Sequence, residues 1–338
     1  MQRMTCSTLR VLPALLSILV ATPLAYAQPR EAGQTNPGQT MPSIPDGKDT
    51  DLKFYSPDGA IATGRQALEQ MPHANLVLWV AGNQFFAMDD VIHGFQKDNA
   101  TISVGLITLP PGLLLAAIKA GGWIYNGKDY RGRPDIYASV NLGHLRDLKR
   151  SGMMNDFIVY MHNELQIMVG KGNPKKITGI DDLVRDDVRT SLPNPVNEGI
   201  MQFYLRRVLE RHGLWQAISA GRDCVACQTT TNNWFTAVHH RETPERIATG
   251  RSDAGVVWRT EGLQALRTNA AVDTIALPAE DSLRNEVSYV IGVLTETPHA
   301  AAAKAYMSFL RATAGQDIYV KYGFVPATDE DLKLKPID

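Results

Sequence analysis

The sequence predicts an α/β fold in which mixed or mostly parallel sheets are flanked by helices. Apolar runs of strand length alternate with amphipathic runs of helix length, the pattern that packs a parallel sheet against helices. Gly, Pro and Asn punctuate the runs at 82–83, 110–112 and 172–174. At 338 residues, the chain is long enough for two lobes with separate cores.

Residues 1–27 read as an export signal. Arg3 and Arg10 supply positive charge, 11–24 is mostly apolar, and Ala25-Tyr26-Ala27 fits the small-x-small cleavage rule. The exported chain is expected to begin at Gln28 and to be soluble in the periplasm. Cys6 precedes the apolar run, a poor place for a lipid-modified cysteine. Residues 28–72 are expected to be a flexible leader with a short extension around 63–70, because 28–51 is rich in Pro, Gly, Asn and Gln.

The domain proper opens with a buried strand at 75–80. Gly82-Asn83 breaks it, and 86–96 continues as an amphipathic helix. A strand at 102–107, the turn Pro110-Pro111-Gly112 and a helix at 113–120 repeat the unit. Residues 121–133 form a polar, aromatic-bearing insertion. A short strand at 134–138 and a helix at 144–151 come next. A strand at 165–169, a short helix at 180–183, a strand at 188–192 and a helix at 200–212 carry the chain into a second α/β unit. A strand at 287–293 and helices at 298–310 and 315–322 follow, and 325–338 reads as an irregular tail.

The stretch 233–262 concentrates the chemistry. Thr243 is expected to cap a helix with Pro244 at its first position, and Gly250 to end it. Ala254-Gly255-Val256-Val257-Trp258 is a short apolar strand. His239-His240 would then sit just before the helix, at a strand end where α/β proteins bind ligands.

Charge excludes one class of partner. The chain carries 34 Lys+Arg against 35 Asp+Glu and no long basic tract, so nucleic acid is not expected. Beyond the leader, no run reaches the ~20 apolar residues of a membrane span. Two cysteines follow the leader, Cys224 and Cys227. In an oxidising compartment they suit a small local disulfide, with a metal site or redox dithiol as alternatives.

The motifs resemble those of the type II periplasmic solute-binding proteins of ABC importers, in particular the molybdate/tungstate branch. PDIYASVNLGHLRDL at 134–148, LQIMVGKGNPKKI at 165–177, VRTSLPNPVNEGI at 188–200, SDAGVVWRTEGL at 252–263 and GQDIYVKYGFVP at 315–326 carry the resemblance. It implies two α/β lobes joined by two crossing strands, with ligand between them. Lobe one would hold 73–163 plus 287–330, lobe two 164–286, and 331–338 would form the tail. It also implies a small anionic solute, delivery to an inner-membrane permease, a monomer, and neither cofactor nor catalysis.

The pocket departs from the molybdate pattern. Asn83 stands where a serine is expected, Gly112 lies nearest the second expected serine, Trp258 replaces a tyrosine, and His240 replaces a small apolar residue. Asn83, Gly112, Glu198, His240 and Trp258 are therefore the candidate ligand-binding residues. Asn83 would otherwise cap a helix, Gly112 serve a tight turn, and Trp258 pack against the hinge. If His239 and His240 end a strand, their side chains alternate, and His240 is expected to enter the cleft. Tyr204 is expected in the core or interface, and Glu261 at a helix rim. Arg241 would either compensate an anion or pair with Glu242.

Three classes of function follow. The leading one is capture of a small anion, a molybdate-like oxyanion foremost. The second is binding of a metal or metal chelate through His239, His240, Glu198 and Glu242. The third is an enzyme on the same scaffold. No GxSxG, HExxH or GxxxxGK[ST] motif appears, so no local sequence supports catalysis.

Overall fold

Leu76–Ala81, buried at every position, lies at the centre of the first sheet. The computed structural model describes residues 40–44, 47–284 and 286–338. The export signal expected at 1–27 lies outside them. Leu76–Ala81 runs parallel to Val104–Leu109 on one side and Ile136–Ser139 on the other. Beyond Ile136–Ser139 come Ser288–Val293, Asp156–His162 and Val325–Pro326, each antiparallel to its neighbour. Central strands buried on both faces explain the unbroken apolar runs.

The amino-terminal extension is larger than the segment expected around 63–70. Leu52–Tyr55 pairs antiparallel with Val104–Leu109, and Ile61–Thr63 adds the outermost strand. Leu52, Phe54 and Tyr55 are buried, while Lys53 stays half-buried. The tail expected to be irregular also pairs, Lys335–Pro336 lying against Phe157 and Asp156. Residues 121–133 form a hairpin, Gly122–Tyr125 with Lys128–Arg131. Its tip is Asn126-Gly127, both at positive φ, as a tight hairpin turn requires.

The second sheet runs Cys227–Gln228, Asn233–Phe235, Thr190–Leu192, Ala254–Trp258, Leu165–Gly170 and Val272–Ala276. The chain enters it through Asn163 and Glu164 and returns over 277–287. Both crossings are tied down by side chains. Asn163 Nδ2 donates to Thr260 Oγ1 at 2.9 Å and Tyr289 Oη at 3.0 Å, and Glu164 accepts from Arg284 Nε at 2.7 Å. The result is an α/β molecule of two lobes, each a mixed sheet flanked by helices.

Cys224 and Cys227 are joined as a disulfide, closing a turn before the edge strand. Among the described residues, no helix is long and apolar enough to cross a membrane.

Candidate functional site

The helix after the paired histidines starts earlier than the sequence suggests. It spans His239–Ala248 with Val238 at the cap position, so both histidines lie in its first turn and Pro244 lies inside it. Glu242 replaces Thr243 as the device that satisfies the start: its Oε1 accepts from the N–H of Ala237 and of Val238, each at 3.0 Å. Proline in the interior supplies no N–H to the preceding turn. Gly250 does end the segment, at φ +70°.

With both residues on a helix, successive side chains diverge by about 100° instead of alternating. The rings lie 5.6 Å apart and perpendicular. His239 is held between two buried carboxylates. Its Nδ1 is 2.8 Å from Glu198 Oε2, and its backbone N–H donates to Glu198 Oε1 at 3.2 Å. Its Nε2 is 3.1 Å from Glu261 Oε1, an ion-pair distance but misaligned for a hydrogen bond. Glu261 Oε2 accepts from Trp258 N at 3.0 Å, which caps the helix Arg259–Arg267.

Burial opposes charge on His239, but the carboxylates of Glu261 and Glu198 outweigh it and raise the imidazole to about 10. Burial also raises the Glu261 carboxyl, with His239 opposing. His240 behaves in the opposite sense. Burial, reinforced by the charge on His239, pushes it well below its ordinary range, so it is neutral. Among the described residues its Nε2 is buried without a hydrogen-bond partner, and its ring lies beside Phe85 at 5.3 Å. A Cβ on Gly82 would come within 2.5 Å of the ring, so only glycine admits this approach.

His240 faces a cavity of about 10 Å³ between the lobes, room for about one water molecule and far below the ~300–1,000 Å³ of drug-sized pockets. Lobe one contributes Gly82, Asn83, Pro110, Pro111 and Val140. Lobe two contributes Glu198 to Ile200, the two histidines and Trp258. Nearly all stand at helix starts: those of Phe85–Asp98, Pro111–Ala120, Leu142–Arg150, the helical segment entering Met201–Leu205, His239–Ala248 and Arg259–Arg267. Helix starts turn positive dipole ends outward, and here several share one small volume, with part of their N–H groups already taken by side chains: Val238 N by Glu242, His239 N by Glu198, Trp258 N by Glu261 and Gly143 N by Asn141.

Of the predicted ligand residues, Asn83, Glu198, His240 and Trp258 line this cavity and Gly112 does not. Gly112 instead meets lobe two directly, a Cβ there lying 3.0 Å from the Asn197 carbonyl oxygen. Asn83 makes no cap; its Nδ2 donates to Tyr289 Oη. Trp258 packs between Tyr204 at 5.6 Å and Tyr289 at 6.1 Å, and Tyr204 Oη donates to the Val140 carbonyl across the cleft. Arg241 pairs with Asp51 rather than Glu242.

The metal-ligand set is not assembled. Glu242 is spent on backbone N–H groups and His239 on its two carboxylates, which leaves His240 alone. Among the described residues, no group of three or more His, Cys, Asp or Glu is arranged to hold a metal ion. Pro110, Pro111, Val140 and Ile200 were missed because they contribute position and backbone, which residue type does not advertise.

The site is thus a small cleft between two α/β lobes, lined by helix starts from both. Residues 76–325 match the family described as bacterial extracellular solute-binding protein, and the chain belongs to it. The sulfate-binding protein of Salmonella typhimurium (strain LT2) is 29% identical over 176 residues, 50% of this chain and 52% of that protein, so the chain spans about half of that relative's length. Among solved structures, the Azotobacter vinelandii periplasmic molybdate-binding protein is 17% identical with a TM-score of 0.57, covering 75% of this chain and all (100%) of that one. The substrate-binding protein of an ABC transporter from Agrobacterium tumefaciens is 14% identical with a TM-score of 0.61, covering 82% of this chain and 84% of that one. At these identities the two structures support the fold. As a member of that family, the protein is a non-enzymatic solute-binding protein.

Proposed function

We propose that the protein captures a small anion, a tetrahedral oxyanion of molybdate type, in the interlobe cleft and delivers it to an inner-membrane permease. The supporting observation is the convergence of helix starts from both lobes on a cavity of about 10 Å³, beside the unpartnered Nε2 of His240. Such a site meets negative charge with dipoles and hydrogen bonds rather than a salt bridge. None of the described residues lining it is Lys or Arg. The charge–apolar–Ala25-Tyr26-Ala27 pattern supports work in the periplasm.

Native mass spectrometry of protein purified without dialysis, with elemental analysis, tests the reading. The expected result is one bound oxyanion per chain. A stoichiometric divalent metal in its place would overturn it.

A further inference from the structure

Lobe two holds a second cavity, of about 200 Å³, at the end of its sheet opposite the cleft. Thr190 in its wall lies beside Ala254, the first residue of the strand whose last, Trp258, lines the cleft. Three arginines, Arg189, Arg246 and Arg251, line this outer cavity, and none of its lining residues is Asp or Glu.

Strand register fixes one wall. Trp234 stands opposite Ser191 on one neighbouring strand and Gln228 on the other, so the three side chains share a face of the sheet. Ser191 Oγ lies 3.4 Å from Thr243 Oγ1, which makes it the face covered by His239–Ala248. Arg246, in the last turn of that helix, rests its guanidinium 4.6 Å from the centre of the Trp234 ring.

The charges around the cavity do not cancel. Arg189 is paired with Asp253 at 3.0 Å and Arg251 with Glu245 at 2.7 Å. Among the described residues Arg246 has no carboxylate partner. Its Nε donates to Ser252 Oγ at 3.4 Å, and its two terminal nitrogens donate to none of them. Arg246 is half-buried, a cation taken partly out of water beside another cation, and burial together with Arg251 lowers its pKa. The negative end of its helix offsets part of that cost. A guanidinium held in this way presents a planar fork that matches two oxygens of one carboxylate or phosphate.

We propose that the outer cavity is a second anion site, taking a small solute or ion that bears a phosphate or carboxylate group, with Arg246 as its principal donor. Arg189 and Arg251 add attraction from the rim, although each already holds a carboxylate. The volume of about 200 Å³ compares with the ~10–15 Å³ that one water needs, so an anion of several heavy atoms fits. The inference stands on this cavity alone and goes beyond capture in the cleft.

Calorimetric titration at fixed ionic strength, with inorganic pyrophosphate and separately with citrate, tests it. The unaltered protein is expected to bind one equivalent of at least one probe. Pyrophosphate alone would mark a phosphate bearer, citrate alone a carboxylate bearer. Arg246→Gln is expected to weaken binding about ten- to a hundredfold, the worth of hydrogen bonds between charged groups, and His240→Ala to leave it unchanged. Arg251→Gln alters only the exposed rim, so it keeps the test decisive if Arg246→Gln folds poorly; it is expected to weaken binding about two- to fivefold. Binding lost in His240→Ala but not in Arg246→Gln would put the anion in the cleft, overturning this inference and leaving capture there intact. Affinity unmoved by both arginine variants, or binding of neither probe, would overturn the second site without touching the cleft reading.

Discussion

Asp51, wholly buried in the amino-terminal extension of lobe one, accepts Nε and Nη2 of Arg241 from lobe two. The guanidinium rests 4.2 Å from the Phe85 ring, and Thr108 Oγ1 donates to Asp51 Oδ1 at 3.3 Å. Burial raises the Asp51 carboxyl, with Arg241 opposing, so the pair is held by geometry against a desolvation penalty. It joins the lobes beside the cavity and leaves the cavity wall without a free cation.

Asp51→Ala should therefore act on closure. It strands Arg241 against Phe85 and costs about 3 kcal/mol, the usual consequence of removing one partner of a buried pair. Because the pair crosses the cleft, the cost should fall on the closed arrangement. Small-angle X-ray scattering should show a larger radius of gyration for the variant. An unchanged radius with an intact melting transition would remove the pair from closure.

His240→Ala should weaken binding of the ligand by about 1–3 kcal/mol, the cost of leaving a buried polar partner unpaired. The fold should persist, since the Nε2 it removes bonds none of the described residues. Calorimetry against the oxyanion found by native mass spectrometry is the measurement.

His239 makes stability depend on pH. Its folded value of about 10 lies above the ordinary 6.5. The folded state therefore holds the proton more tightly, and the stabilisation is complete below about pH 6.5 and lost as pH rises through about 10. The raised carboxyl of Glu261 acts in the same direction at lower pH. Thermal melts across that window should fall steadily, and His239→Gln should flatten the slope while lowering stability by about 3–5 kcal/mol.

Gly82→Ala should damage the site more than the fold. The added methyl would lie 2.5 Å from His240 Cε1 and 3.1 Å from the Thr108 carbonyl, forcing the imidazole out of the cavity. An overpacking cost of about 1–3 kcal/mol is expected, with binding lost. Titration together with a melting curve separates the two effects.

Much of the fold is written in local pattern. Leu76–Ala81, Val104–Leu109 and Ala254–Trp258 are apolar runs of strand length, and Gly250 ends its helix where a positive φ is needed. The helix His239–Ala248 starts earlier than Thr243-Pro244 signals, because Glu242 reaches back from inside it to the N–H groups of Ala237 and Val238. The strand Leu52–Tyr55 is four residues long and draws its stability from pairing with Val104–Leu109 and Ile61–Thr63, and the first of these is a contact no window of sequence contains. Of the candidate ligand residues, Asn83, Glu198, His240 and Trp258 do line the cavity. Gly112 lies against Asn197 of the other lobe instead, because whether a turn faces a cavity or a neighbouring lobe depends on tertiary approach.

The extension also makes the molecule its own reporter. Leu52–Tyr55 zips it to one lobe, while Asp51 touches the other, so the local surroundings of this segment differ according to whether the lobes meet. Thr50 is exposed immediately beside Asp51. An environment-sensitive dye attached through Thr50→Cys would change its emission as the cleft shuts, converting solute capture into an optical signal without a label in the pocket.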